Sequence, residues 1–179
     1  MDVVNALAET WPRRAPLRRA FAEVAQEHLD DVYRYLVFLT ADPVLAKDLT
    51  GETFEKAFRS WKRFDPRRGS ERTWLCQLAR SKALDHFRSE SRRRRREDRS
   101  TSQTPRAVEP LAEGISAELE AALRSLTAGE REVVVLRIVL ELDAAAAARV
   151  VGISRSACSM RLARALQKLD ERMEAHVVA

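Results

Sequence analysis

The sequence predicts an all-α protein: two small helical bundles joined by a flexible linker, the second containing a helix-turn-helix. Three observations carry this expectation. Apolar residues recur at steps of three and four along nearly the whole 179-residue chain, and no run alternates apolar and polar residues as a half-buried strand does. Proline stands only at positions 12, 16, 43, 66, 105 and 110, which leaves long intervals without a helix breaker. Between the two periodic stretches lies EDRSTSQTPRAVEP, whose Ser, Thr, Gln and Pro cannot supply a buried face and read as a linker. The expected organisation is an extension over 1–16, a first bundle over 17–95, a linker over 96–115 and a second bundle over 116–179.

The first helix is expected from Leu17 to Thr40, with Leu17, Phe21, Val24, His28, Val32, Tyr35 and Leu39 on one stripe. Asp42 then has the residue type of an N-cap and Pro43 suits the first helical position, which starts a second helix running to about Phe64. Leu49, Thr53, Ala57 and Trp61 share its inner side, with Phe54 and Phe58 beside them. FDPRRGS is a turn, and Ser70 caps a third helix from Glu71 to about Glu90 that carries Trp74, Leu75, Leu78, Ala79 and Phe87 inward. These spacings place Trp61 and Trp74 in the core rather than on a base-stacking surface.

In the second bundle, Leu119, Ala122, Leu123 and Leu126 outline a short helix. TAGE matches a capping box, Thr127 with Glu130, that opens a helix from Ala128 to Leu140. Asp143 caps the next helix, Gly152 ends it where a left-handed residue is wanted, and Ser154 caps a last helix from Arg155 to about Ala175.

Composition narrows the function. The net charge is +5 with a pI near 9.7, the footprint of a protein that meets a polyanion. Two distant cysteines and three scattered histidines offer neither a disulfide framework nor metal-ligand spacing, and no nucleophile–base constellation appears, so neither a cofactor nor an enzymatic activity is expected. The N-terminus lacks the pattern of a signal peptide, and no stretch has the length and apolarity of a membrane span, which points to the cytoplasm.

The chemistry-bearing motif is AAAARVVGISRSACSMRLARALQKL, a helix, a turn with Gly and a longer helix. On the last helix Cys158, Leu162, Ala165 and Leu169 face the core. Arg155, Ser156, Ser159 and Met160 point away near its N-terminus, where such motifs meet base edges, and Arg161, Arg164 and Lys168 lie on a flank suited to phosphates.

The N-terminal half sharpens this expectation. YRYLVFLTADPVLAKDLTGETFEKAFRSWKRF followed by ERTWLCQLARSKALDHFR resembles the core-binding and promoter-melting halves of region two in bacterial RNA polymerase sigma factors of the extracytoplasmic-function group. LTAGEREVVVLR and the helix-turn-helix resemble region four. The resemblance implies a transcription initiation factor that binds core polymerase through the β′ clamp and the β flap. It implies docking of Asp48, Glu52 and Glu55 on the clamp helices. It assigns Arg68, Arg72, Arg80, Ser81, Lys82 and Arg88 to the −10 element, and Arg155, Ser156, Ser159, Arg161, Arg164 and Lys168 to the −35 element. An anti-sigma factor is a further implied partner. Arg92–Arg96 extend the melting helix, either toward phosphates upstream of the melted strand or as a solvated linker. The chain departs from the family pattern at Gly51 (Gln), Glu71 (Phe), Ser81 (Asn), Ala146 (Glu), Ala157 (Thr) and Ser159 (Lys). Two other classes share part of these features: a helix-turn-helix regulator acting without polymerase, and a degenerate sigma-like interaction protein.

Overall fold

The computed structural model describes residues 20–97 and 117–177. Leu17, the 1–16 extension and linker residues 98–115 lie outside the described residues. Every regular element among those described is helical.

Helix α1 (Phe21–Thr40) buries Val24, His28, Val32 and Tyr35 along the predicted stripe. It ends at Ala41, whose φ of 53° turns the chain and whose N–H bonds the Val37 carbonyl at 2.8 Å. Leu36, Val37 and Phe38 are buried as well, so α1 is covered on more than one side. Helix α2 (Pro43–Ser60) starts as expected: one Asp42 carboxylate oxygen accepts the Val44 and Leu45 N–H groups at 3.0 Å. It buries Leu49, Thr53 and Ala57 but stops at Ser60, four residues before the predicted end. Trp61–Arg63 tighten into a 3₁₀ turn, with the Phe64 N–H on the Trp61 carbonyl at 3.1 Å. That turn lets Trp61 and Phe64 stack at 5.1 Å and meet Trp74 at 5.8 and 5.3 Å, an aromatic cluster that Phe21 joins from α1. Both tryptophans are spent on packing, each half-buried. Phe58 is the exception, 67% exposed beside the cluster.

Gly51 sits inside α2, exposed, with nothing within 4 Å of where a Cβ would stand. Gly51→Ala is therefore expected to stabilise the protein by about 1 kcal/mol, the propensity difference in a helix interior, measurable as a raised melting temperature.

After the turn at 65–70, where Asp65 accepts the Arg67 N–H at 3.0 Å, Ser70 caps helix α3 (Glu71–Glu97) through the Thr73 N–H at 3.2 Å. Gly69 adopts φ 152°, ψ 172°, a conformation open essentially to glycine alone. Helix α3 buries Leu75, Cys76, Ala79 and Ala83 and continues seven residues past the predicted end. Nothing in SRRRRRE breaks a helix, and Glu90 pairs with Arg93 and Arg94 at 3.3 Å on adjacent turns. The arginine run is thus helix, all of it exposed. Phe87, expected inward, is 36% exposed.

The second bundle comprises α4 (Ala117–Ser125), α5 (Ala128–Val134), α6 (Ala144–Val151) and α7 (Arg155–Val177). The Arg131 guanidinium satisfies the end of α4 by donating to the Leu123, Arg124 and Leu126 carbonyls. The predicted helix to Leu140 gives way at Val135–Val139 to a wider turn, in which the Leu140 N–H reaches back five residues to the Val135 carbonyl at 2.9 Å. This widening keeps Val135, Leu136, Leu140 and Leu142 all buried. Asp143 caps α6 through the Ala145 and Ala146 N–H groups at 2.7 and 2.8 Å, and Gly152 ends it at φ 76°. Ser154 caps α7 through the Ala157 N–H at 3.1 Å.

The two bundles touch. Helix α6 lies along α3, and α5 packs against α1.

Candidate nucleic-acid and polymerase interface

The recognition geometry begins with packing. Cys158, Ala165 and Leu169 anchor α7 against the bundle, while Leu162, expected in the core, is only half-buried. Burial alone pushes up the Cys158 thiol, with Arg137 and Arg161 opposing it, so this cysteine is a packing residue. With that face fixed, the opposite N-terminal face of α7 is presented to solvent: Arg155, Ser156, Ser159 and Met160 are exposed. The Ser156 hydroxyl lies 3.1 Å from that of Ser154. On the flank the predicted cations divide. Arg164 is exposed, Arg161 is half-buried with its guanidinium against Gly129, and the Lys168 ammonium donates to Glu130 at 2.6 Å.

Glu130 closes the capping box. Its second oxygen accepts the Thr127 N–H at 2.9 Å and hydroxyl at 2.8 Å. The hydrogen bond from Lys168, then those from Thr127, hold its carboxyl down at about 2, against an ordinary value of 4.5. Because the folded state binds this proton more weakly than the unfolded chain, the stabilisation is complete above about pH 4.5 and lost as pH falls toward 2. Thr127→Ala is expected to cost about 0.5–2 kcal/mol at neutral pH. Glu130→Gln should be less stable than the parent at neutral pH and converge with it near pH 2 in thermal melts across that range.

On the first bundle, Asp48, Glu52 and Glu55 form an exposed acidic edge along α2, with exposed Phe58 beside it. Glu52 also pairs with Lys82 of α3 at 2.9 Å, and Glu55 with Arg59 at 2.5 Å. The six residues predicted for the −10 element lie on the 65–70 turn and α3, but they are not equally available. Arg68 and Arg88 are exposed, the latter 3.5 Å from Asp85. Arg72 Nε lies 2.7 Å from Asp31 of α1, off the line of a hydrogen bond, which ties it to the bundle. Ser81 is half-buried, and Lys82 is committed to Glu52. Arg80 donates through Nε to Glu132 at 2.7 Å, across the two bundles.

Four residues at this seam were not legible as site residues. Tyr35 donates to Glu132 at 2.6 Å, Gln77 to the Arg149 carbonyl at 3.2 Å, and Arg149 to the Arg68 carbonyl at 2.8 Å. Burial and then the Glu132 charge push the Tyr35 hydroxyl well above its ordinary range, so it stays a donor. The signal for Glu132 was a carboxylate set against the run VVVL, where a solvated residue is out of place.

Fold and site together define a two-module helical protein with a presented recognition helix, a second basic face and a separate acidic edge. The models of Sigma-70 region 2 and Sigma-70 region 4 match residues 24–93 and 116–169. The chain is 33% identical over 156 residues to the ECF RNA polymerase sigma factor BldN of Streptomyces coelicolor, covering 84% of this chain and 59% of BldN. It is 34% identical over 160 residues to the ECF RNA polymerase sigma factor SigC of Mycobacterium tuberculosis, covering 84% of this chain and 80% of SigC. Its fold matches the sigma factor RpoE solved with the anti-sigma factor NepR from Bartonella quintana, at a TM-score of 0.74 and 22% identity over 86% of this chain and 96% of that one. The chain belongs to the extracytoplasmic-function group of RNA polymerase sigma factors.

Proposed function

We propose that this chain binds core RNA polymerase, brings it to the −35 and −10 promoter elements and assists opening of the duplex. The observation that carries this is the pairing, on one chain, of a solvent-presented recognition helix with the acidic edge of α2. A DNA reader acting alone has no use for a row of exposed carboxylates on a basic protein, since phosphates repel them. A basic or polar groove on polymerase does, and Phe58 adds apolar area at the same place. In this reading Asp48, Glu52 and Glu55 dock on the β′ clamp and the second bundle meets the β flap. The N-terminal face of α7 reads −35 base edges while Arg164 and neighbouring cations hold phosphates. The turn at 65–70 and α3 receive the −10 strand, whose extruded bases need contacts rather than covalent chemistry. Arg92–Arg96, helical and exposed, extend the phosphate-binding track of α3.

Run-off transcription with purified core polymerase and genomic fragments tests this: discrete start sites are expected with the chain present and none without it. Asp48→Lys with Glu52→Lys should weaken core binding several-fold while circular dichroism remains helical, because exposed charges contribute little to folding. Unchanged core affinity would move the docking edge elsewhere.

A further inference from the structure

The first bundle and α6 line a cavity of about 350 Å³ with a definite chemistry. Arg63 and Arg68 reach it from the turns between α2 and α3, and Arg149 from α6. Among the described residues, three guanidinium groups thus line it against one carboxylate, that of Asp65. All four side chains are exposed, yet two of them are held in place. The Arg149 guanidinium donates to the Arg68 carbonyl at 2.8 Å and to the Ala145 carbonyl at 3.3 Å, and one Asp65 oxygen accepts the Arg67 N–H at 3.0 Å. The partners of Arg149 are carbonyls, so its charge is oriented without being neutralised. A guanidinium fixed in this way loses little freedom on meeting an anion. Part of the wall is apolar: Phe64 and half-buried Trp74, their rings 5.3 Å apart and tilted at 48°. The cavity also borders the first turn of α3, where Thr73 and Trp74 stand and the helix dipole is positive.

Each feature selects part of a ligand. Planar cationic forks suit phosphates, and aromatic ring area suits a flat base. A carboxylate beside both suits a base edge that donates N–H groups. A simple anion leaves the aromatic wall unused, and an apolar ligand strands the arginines. We propose that this cavity binds a free guanine nucleoside triphosphate, with the base against Trp74, its adjacent N1–H and N2–H donors on Asp65, and its phosphates on Arg63, Arg68 and Arg149. Adenine presents one donor beside an acceptor at the same edge, and that acceptor meets the carboxylate unfavourably. The volume stands at the small end of the roughly 300–1,000 Å³ usual for ligand sites, which suits a single nucleotide. What binding does to transcription rests on the sigma-factor reading above. There the 65–70 turn receives the −10 strand, whose bases and phosphates share the chemistry of the ligand. Nucleotide and strand then compete for one place, and the chain responds to the level of guanine nucleotide.

Isothermal titration calorimetry of the full chain with GTP, without polymerase or DNA, tests the site. One GTP per chain is expected. Guanosine, which lacks the phosphates, and inorganic tripolyphosphate, which lacks the base, should each bind at least about tenfold more weakly, the usual effect of losing a charge-assisted contact. Arg149→Ala and Arg68→Ala should each weaken GTP about tenfold on the same grounds. Arg172→Ala, the same charge change at an exposed position of α7 that does not line the cavity, should leave the affinity unchanged. Arg68→Ala keeps the backbone carbonyl that Arg149 holds, so it carries the test if Arg149→Ala disturbs the packing of α6. Asp65→Asn keeps an oxygen for the Arg67 N–H and should bring GTP and ATP together, where the parent prefers GTP about tenfold. Absence of binding at millimolar GTP overturns the proposal. So does tripolyphosphate binding as tightly as GTP, which would mark a plain anion site. An equal loss in Arg172→Ala, or none in the two cavity variants, overturns it too, by showing diffuse charge at work. Fluorescent random-sequence single-stranded DNA should be displaced from the parent by GTP, and its retention at saturating GTP overturns the competition. Run-off transcription at limiting GTP reports separately on the sigma-factor reading.

Discussion

Leu136→Ala is expected to lower the stability of the C-terminal bundle by about 2–5 kcal/mol, the range for truncating a buried leucine whose surroundings relax only partly. Leu136 is fully buried, within the wide turn that links α5 to α6, and its carbonyl accepts the Leu142 N–H at 2.9 Å. Side chain and backbone are therefore pinned together, and the neighbouring buried residues Val135, Leu140 and Leu142 are held by the same turn. Collapse into the cavity would disturb the hydrogen bonds that orient α6, and with them the platform for α7. Small domains have about 5–15 kcal/mol of total stability, so one substitution removes a large share. Each kcal/mol shifts the melting temperature by about 4–8 °C in a domain of this size, which makes the loss visible in a thermal melt. Leu162→Ala is the internal comparison. Spacing alone places Leu162 in the core, but it is half-buried, so its truncation should cost distinctly less. Equal losses at the two positions would contradict the packing described for α7.

The contrast between these leucines shows what the sequence could and could not carry. Local chemistry was legible wherever one side chain decides a boundary. Asp42, Ser70, Thr127 with Glu130, Asp143 and Ser154 all accept the backbone N–H groups that their positions predict, and Gly152 takes the left-handed conformation. These bonds span two or three residues, so nothing distant can overrule them. Helix ends set by the absence of a signal were read less well. The third helix runs to Glu97 because Ser, Glu and Arg sustain a helix as readily as a linker, and the i,i+3 and i,i+4 pairs of Glu90 with Arg93 and Arg94 favour the helix. The second helix tightens at Trp61 because three aromatic rings from two helices prefer to meet there, a tertiary cause. The five-residue turn at Val135 has no signature in the run VVVLRIVL, whose residues suit a regular helix and a wider turn equally.

The candidate site divides in the same way. The exposed face of α7 follows from helical periodicity once its core residues are known. The commitments of Arg80, Lys82 and Lys168 to Glu132, Glu52 and Glu130 do not, because each joins residues at least 30 positions apart. A cation counted from sequence as a phosphate holder is, in the folded chain, first a partner to a carboxylate. Its free energy of binding DNA is the difference between two ion pairs rather than the gain of one.

Among the described residues Arg155 has no carboxylate to give up, and for this reason Arg155→Ala is a sharp test of DNA reading. Arg155 is the first residue of α7, exposed, and neighbours Ser154, whose hydroxyl caps the helix. Its position is therefore rigid while its guanidinium stays in solvent. At the N-terminus of a recognition helix a guanidinium can present two donors to O6 and N7 of a guanine, an interaction worth about 1–3 kcal/mol of discrimination. With core polymerase bound, Arg155→Ala is expected to lose that much at one position of the −35 element and to flatten base preference there, leaving the other positions unchanged. Arg164→Ala, further along the flank of the same helix, should instead weaken every sequence to a similar extent and reduce the salt dependence of binding by roughly 0.9 for each phosphate no longer neutralised. The measurement is the affinity of each holoenzyme for a panel of −35 variants at two salt concentrations. A preference profile that Arg155→Ala leaves intact would show that base reading on α7 runs through other residues, with Ser156 and Ser159 the next to truncate. A uniform loss of affinity with the preference profile intact would instead mark Arg155 as a phosphate holder, since a contact to phosphate carries no sequence information.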